Sequence, residues 1–152
     1  MPAKKTVDMG NVQRGRVLIV EDDLLLAMVE ERLIKKLGFD VVAKVREGSK
    51  AIEKVSELKP DIILMDISLK GDLDGIETME IIRRNSDVPV IYLSGSSDRY
   101  YYERAKKTNF IGYLKKPVTS NELKKPLLEA SNYGKSRGDE QKPLNTSLNK
   151  TA

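Results

Sequence analysis

Val17-Leu18-Ile19-Val20-Glu21-Asp22-Asp23 decides the fold: four apolar, mostly β-branched residues run straight into three carboxylates. A run that is apolar at every position suits a strand buried on both faces, as in a parallel sheet. Four more short, near-continuous apolar runs follow, at Val41–Val45, Ile62–Met65, Val88–Leu93 and Ile111–Leu114. Between them, apolar residues return every three or four positions, the spacing of an amphipathic helix. Leu25, Met28, Val29, Leu33 and Leu37 do so, then Ala51, Ile52, Val55 and Leu58, then Ile76, Met79 and Ile82, and more weakly Tyr101, Ala105 and Thr108.

Breakers stand where those helices should stop. Gly38 is placed to end the first, Pro60 follows the second, and Ser120 is placed to cap the last. Pro126 falls inside the last helix, where it removes one backbone bond and can kink the chain. The pattern is βα repeated five times, which right-handed crossovers turn into an α/β doubly wound domain with helices on both faces of the sheet. The predicted domain spans residues 16–131, between an N-terminal tail at 1–15 and a polar, basic C-terminal tail at 132–152. Both tails lack apolar periodicity and are expected to be flexible.

Composition closes off several chemistries. The 152 residues include no cysteine, histidine or tryptophan. Disulfides, thiolate nucleophiles, zinc–thiolate sites, histidine-based triads and histidine-ligated metals are therefore excluded. No apolar run approaches the roughly 18 residues of a membrane span. The lysines near the N-terminus precede no apolar stretch, so no signal peptide is expected. These features predict a soluble, cytoplasmic protein. The net charge is +4, yet residues 16–130 hold 20 basic and 20 acidic side chains. The basic excess lies in the tails, so specific nucleic-acid binding is not expected, and no helix-turn-helix pattern follows residue 130.

In a parallel α/β sheet, ligands bind beyond the carboxyl ends of the strands. Glu21, Asp22 and Asp23 follow the first predicted strand, Asp66 the third, Ser94-Gly95-Ser96 the fourth and Lys115-Lys116-Pro117 the fifth. Clustered carboxylates raise one another's pKa or bind a cation. Oxygen donors without nitrogen or sulfur suit Mg²⁺. A carboxylate beside such a cation can attack phosphorus, and an ammonium and a hydroxyl can hold the remaining phosphoryl oxygens. Taken singly, Asp22 and Asp23 also read as helix caps and Asp66 as a turn residue.

These motifs, with Gly112-Tyr113-Leu114-Lys115-Lys116-Pro117 beside them, resemble the receiver domain of two-component response regulators, over about residues 16–130. The separations fit as well: Asp66 comes 44 positions after Asp22, and Lys116 comes 22 positions after Ser94. The resemblance implies a flavodoxin-like five-stranded sheet of order 2-1-3-4-5. It implies that Asp66 is the phosphoacceptor, and that Glu21, Asp22, Asp66 and the backbone carbonyl of Ser68 hold Mg²⁺. Lys116 would pair with Asp66 and then with the phosphoryl group, and Ser94 would donate its hydroxyl to that group. Tyr113 would be the aromatic that changes rotamer with Ser94, Gly95 would leave room for the phosphoryl group, and the Lys116–Pro117 bond would be cis.

The function so implied is a phosphorylation-dependent signalling switch of the stand-alone type. Its donor would be a sensor histidine kinase or a histidine phosphotransfer protein, which must bring the histidine this chain lacks. Output would pass by protein contact to a downstream partner, from a monomer or a weak dimer formed through helix 4, strand 5 and helix 5. Ser94 stands where the family more often has Thr, and neither Ser68 nor Ser96 carries an acid or amide that would orient water. Only self-phosphorylation and autodephosphorylation are expected, not turnover of another substrate. Two other readings remain: a receiver-like scaffold that binds partners without phosphorylation, and a Mg²⁺-dependent small-molecule phosphatase. The latter would want a second Asp where Ser68 stands, and a cap domain.

Overall fold

The computed structural model describes residues 14–133. Most of the predicted tails therefore lie outside the described residues. Five strands alternate with five helices: β1 (Arg16–Val20), α1 (Leu24–Lys36), β2 (Asp40–Val45), α2 (Gly48–Leu58), β3 (Ile62–Asp66), α3 (Gly75–Ile82), β4 (Val90–Ser94), α4 (Arg99–Lys106), β5 (Gly112–Lys115) and α5 (residues 120–133). The sheet order is β2-β1-β3-β4-β5, with every pairing parallel. This is the doubly wound arrangement that the alternating pattern predicts.

The continuous apolar runs have a simple cause. Leu18, Val20, Ile63, Met65, Val90 and Tyr92 point to one side, where Ala51 of α2, Ile76, Met79 and Ile82 of α3 and Ala105 of α4 cover them. Val17, Ile19, Ile62, Leu64, Ile91 and Leu93 point to the other, where Ile34 of α1 and Leu123, Leu127 and Ala130 of α5 pack. Both faces of the sheet are dry, so no polar alternation survives in the three central strands.

Local signals set the helix ends. Asp23 accepts from the N–H groups of Leu25 and Leu26 and so caps α1. Gly38 follows with φ +92°, in the left-handed region where glycine is strain-free. Asp74 and Glu77 form a reciprocal capping box on α3. The cap of α5 corrects the sequence expectation: Thr119, not Ser120, exchanges hydrogen bonds with Glu122, and helical residues begin at 120. Pro126 leaves residues 120–133 helical throughout. It is buried against β5, where a Cβ added at Gly112 would lie 3.0 Å from its own Cβ.

Two more differences bear on the site. Arg14 and Gly15, assigned to the tail from sequence, are tied in. The N–H of Arg14 donates to the Gly38 carbonyl and its own carbonyl accepts from Ser131 Oγ at 2.6 Å, while Gly15 accepts from the Asp40 N–H. The helical period of α1 holds, but its apolar stripe splits. Leu33 and Leu37 lean on the core, whereas Leu25, Met28 and Val29 are 72%, 60% and 52% exposed. Ala27, Glu30 and Ile34 take the inward positions. They too are spaced three and four apart, so the pattern of period alone does not choose between the two stripes.

Candidate functional site

Register brings the strand ends level: Val20 pairs with Met65, Asp66 with Leu93 and Ser94 with Lys115. The residues just beyond them therefore share one edge of the sheet. Glu21 and Asp66 are each 1% exposed, and Asp22 is half-buried. One carboxylate oxygen from each of Glu21, Asp22 and Asp66 lies within 4.8 Å of the others.

Lys116 closes the cluster from β5. Its Nζ is 3.2 Å from Asp66 Oδ1 and 3.3 Å from Glu21 Oε1. Burial alone would pull the Lys116 pKa down, but the Asp66 and Glu21 charges outweigh it and raise the value, so the ammonium is retained. Glu21 is raised, by burial first and then by the Asp66 charge. The N–H of Asp23 donates to Glu21 Oε2, that of Lys70 to Asp22 Oδ2 and that of Ser68 to Asp66 Oδ1. Three backbone donors and one ammonium hold three acids in a fixed constellation.

The loop after Asp66 is held tightly. The N–H of Gly75 donates to the Ile67 carbonyl at 2.8 Å, and a Cβ at Gly75 would stand 2.2 Å from the Asp66 carbonyl oxygen. Only glycine allows α3 to start that close to β3. Gly95 is different: the nearest atom to a Cβ there is Lys116 Cε at 3.9 Å, so the space above Asp66 and Lys116 stays open on that side.

Other predicted site residues take up distinct states. Ser94 is buried, and its hydroxyl donates to the Ser96 carbonyl while accepting from the Ser96 N–H. It serves its own loop and not Asp66 or Lys116. Tyr113 packs against Tyr92, Tyr102 and Phe110 at ring-centroid distances of 6.3, 5.1 and 5.6 Å. Its hydroxyl is buried and finds no hydrogen-bond partner among the described residues. Ser68 is exposed in the loop after Asp66. The Lys116–Pro117 bond is cis. Asp23 is a cap, as its simpler reading allows, Asp74 caps α3, and Lys115 is exposed.

Two residues escaped the sequence reading. Glu30 of α1 is 3% exposed, with Oε1 lacking a partner among the described residues. Burial, reinforced by the Glu21 charge, pushes its pKa up to about 9, so it is uncharged at neutral pH. Its only sequence signal is its place in the Ala27–Ile34 stripe. Arg104 of α4 reaches 3.0 Å to Asp74 Oδ2, which ties the α3 cap to α4.

Chemically, the cluster offers oxygen donors alone, three of them anionic and mutually close. That set fits a small hard divalent cation such as Mg²⁺ better than a softer metal. The partly neutralised, buried Asp66 oxygen beside an ammonium suits attack on phosphorus.

Comparison with known proteins bears on family and fold. The profile of the response regulator receiver domain matches residues 17–128. The chain is 33% identical over 113 residues to the DNA-binding response regulator MtrA of Mycolicibacterium smegmatis, covering 74% of this chain and 49% of that protein. It is 30% identical over 118 residues to the transcriptional regulatory protein PdtaR of Mycobacterium tuberculosis, covering 78% of this chain and 57% of that one. The chain thus spans about half the length of the curated relatives it matches. Among solved structures, the signal receiver domain of a modulated diguanylate cyclase from Desulfovibrio desulfuricans superposes with TM-score 0.75 at 36% identity, covering 81% of this chain and 98% of that one. The N-terminal domain of a response regulator/sensory box/GGDEF protein from Carboxydothermus hydrogenoformans gives 0.72 at 31%, with coverages of 80% and 98%.

Proposed function

The chain belongs to the response regulator receiver domain family, and from that premise we propose that it is a phosphorylation-dependent switch with Asp66 as phosphoacceptor. The observation that carries this reading is the buried Asp66 carboxylate set 3.2 Å from the Lys116 ammonium, with Glu21 and Asp22 beside it. Such a carboxylate is shielded from water, oriented by the Ser68 N–H, and backed by a cation that can move to a new anion.

In the proposed transfer, an Asp66 oxygen forms a bond to phosphorus while the bond from phosphorus to the donor imidazole nitrogen breaks. The nitrogen leaves with the bonding pair, and because the other ring nitrogen of the phosphohistidine already carries a proton, the donor ends as neutral imidazole. Lys116 then pairs with a phosphoryl oxygen, and Ser94 turns its hydroxyl from the Ser96 carbonyl to another. Glu21, Asp22, Asp66 and the Ser68 carbonyl would hold Mg²⁺, which supplies charge neutralisation for the transferring group. The phosphoryl group adds about −1.5 to −2 charges to the site. Moving a two-state domain from 1:99 to 99:1 takes about 5.5 kcal/mol of differential stabilisation. Charge-assisted bonds from Lys116 and Ser94, together with the cation, are of the right strength to contribute it.

The donor must bring a histidine, since the chain has none. A sensor histidine kinase or histidine phosphotransfer protein fits that need. The exposed Leu24, Leu25, Met28 and Val29 begin directly after Asp22 and Asp23, and offer such a donor an apolar seat beside the acceptor. Output passes by protein contact, and the chain acts as a signalling domain that modifies only itself. No helix among the described residues is long and apolar enough to cross a membrane, consistent with action in the cytoplasm.

The test is incubation with acetyl phosphate, with and without Mg²⁺, read by intact mass. A Mg²⁺-dependent gain of one phosphoryl group that is absent from Asp66→Ala supports the assignment. Undiminished labelling of Asp66→Ala overturns it.

A further inference from the structure

A cavity of about 490 Å³ opens at the far end of the sheet from Asp66. The carboxyl ends of α2 and α3 wall it, and the segments that lead into β3 and β4 close it. That volume falls in the range of small-molecule sites. Ile52, Val55, Ile81 and Val88 give it an apolar wall. Lys59 and Asp61 line the same space, and both are exposed.

These two charges are opposite and two positions apart, yet they do not join. Among the described residues neither belongs to an ion pair. The backbone holds them so. Lys59 ends α2 with φ +47°, in the left-handed region where a side chain strains the chain. Glycine would fit that turn better, as Gly38 does after α1. Arg16 then fastens both sides. Its guanidinium donates to the Leu58 and Lys59 carbonyls at 2.8 and 2.9 Å, and its backbone N–H donates to Asp61 Oδ2 at 2.9 Å. Pro60, buried between the two, stiffens the link. Lys59 Nζ and Asp61 Oδ1 are left without a hydrogen-bond partner among the described residues.

From this arrangement we infer that the cavity is a binding site for an apolar α-amino acid. The ligand carboxylate meets Lys59, its ammonium meets Asp61, and its side chain lies on Ile52, Val55 and Val88. Asp87, another lining residue, adds negative charge for the ammonium. A zwitterion answers both signs of charge at once, whereas a simple amine is opposed by Lys59 and a simple acid by Asp61. The cavity shares no residue with the acidic cluster, so the inference stands whether or not Asp66 accepts a phosphoryl group.

The experiment titrates L-phenylalanine into the full chain at low salt, read by backbone amide shifts. Glycine, phenethylamine and 3-phenylpropanoate are titrated in parallel. Phenylalanine is expected to bind with a Kd on the order of 1 mM and to shift amides of residues 52–61 and 81–89. The other three lack the side chain, the carboxylate or the ammonium, and each is expected to bind at least about fivefold more weakly. Lys59→Gly is expected to weaken phenylalanine binding about fivefold while melting no lower than the natural chain, because glycine relieves the strained turn. Asp61→Asn keeps an acceptor for the Arg16 N–H and is expected to weaken binding by about the same factor. Absence of shifts with phenylalanine, shifts confined to other residues, binding of any of the three fragments as tight as that of phenylalanine, or undiminished binding by Lys59→Gly would each overturn the inference.

Discussion

Lys116 Nζ stands 3.2 Å from Asp66 Oδ1, although the strands that lead to the two residues are not neighbours; β4 runs between them. The contact spans the gap because both residues follow the carboxyl ends of their strands. With Glu21 also 3.3 Å away, one ammonium balances two carboxylates that are almost fully buried. Lys116→Met should therefore lower stability by about 3 kcal/mol in metal-free buffer, as expected for breaking a buried ion pair. Denaturant unfolding measures it, and added Mg²⁺ should return part of the loss. An unchanged midpoint would mean that the ammonium does not hold the acids together.

Glu30 predicts an opposite sign. A buried carboxyl with an unpartnered oxygen destabilises the fold, so Glu30→Leu should gain about 1–3 kcal/mol at pH 8. The pH dependence follows from the raised folded-state pKa of about 9. Below the ordinary value of 4.5 both states hold the proton and no penalty arises. As pH rises from there toward 9, the unfolded state ionises while the folded state keeps its proton, so stability falls. Thermal melts without metal across that range should slope downward in the natural chain and less so in Glu30→Leu; equal slopes would contradict the assignment.

Two tyrosines of the aromatic cluster should also part company. The single proton of Thr108 Oγ1 goes to the Ala105 carbonyl, so the Tyr92 hydroxyl donates to Thr108 at 2.7 Å. Tyr92→Phe should lose about 1 kcal/mol. The Tyr113 hydroxyl is buried without a partner among the described residues, so Tyr113→Phe should gain about 1 kcal/mol. Matched urea melts of the two variants decide it.

Gly75→Ala tests the loop beneath the acceptor. Its Cβ would stand 2.2 Å from the Asp66 carbonyl oxygen and 2.9 Å from Ile67 Cα, both backbone atoms that cannot swing aside. The expected result is a loss of about 1–3 kcal/mol, with slower labelling by acetyl phosphate. Gly71→Ala, where no atom lies within 4 Å, is the contrast: its φ of +102° strains the backbone without pressing on Asp66. It should lower stability with little effect on labelling.

The fold was legible because three central strands are buried on both faces and therefore read as unbroken apolar runs. The cluster was legible for a related reason. Glu21, Asp66 and Ser94 each end or follow one of those runs, Lys116 follows the edge strand β5, and a parallel sheet brings such ends together. What failed to read was phase and partner choice. The stripe Leu25–Met28–Val29 and the stripe Ala27–Glu30–Ile34 have the same period, and a glutamate followed by Glu31 and Arg32 looks like a solvent position. Thr119 and Ser120 are both good caps by type, and only the Glu122 contact separates them. The Asp74–Arg104 bridge joins positions 30 apart on different helices, which no local pattern records.

The most direct measurement locates the phosphoryl group. After incubation with acetyl phosphate and Mg²⁺, borohydride reduction converts an aspartyl phosphate to homoserine, which peptide mass mapping then places. Homoserine at position 66, formed only when Mg²⁺ is present, is the predicted result. A phosphate that survives borohydride and maps to Ser94, or homoserine at Asp22 in place of Asp66, would contradict the assignment of Asp66 as the acceptor.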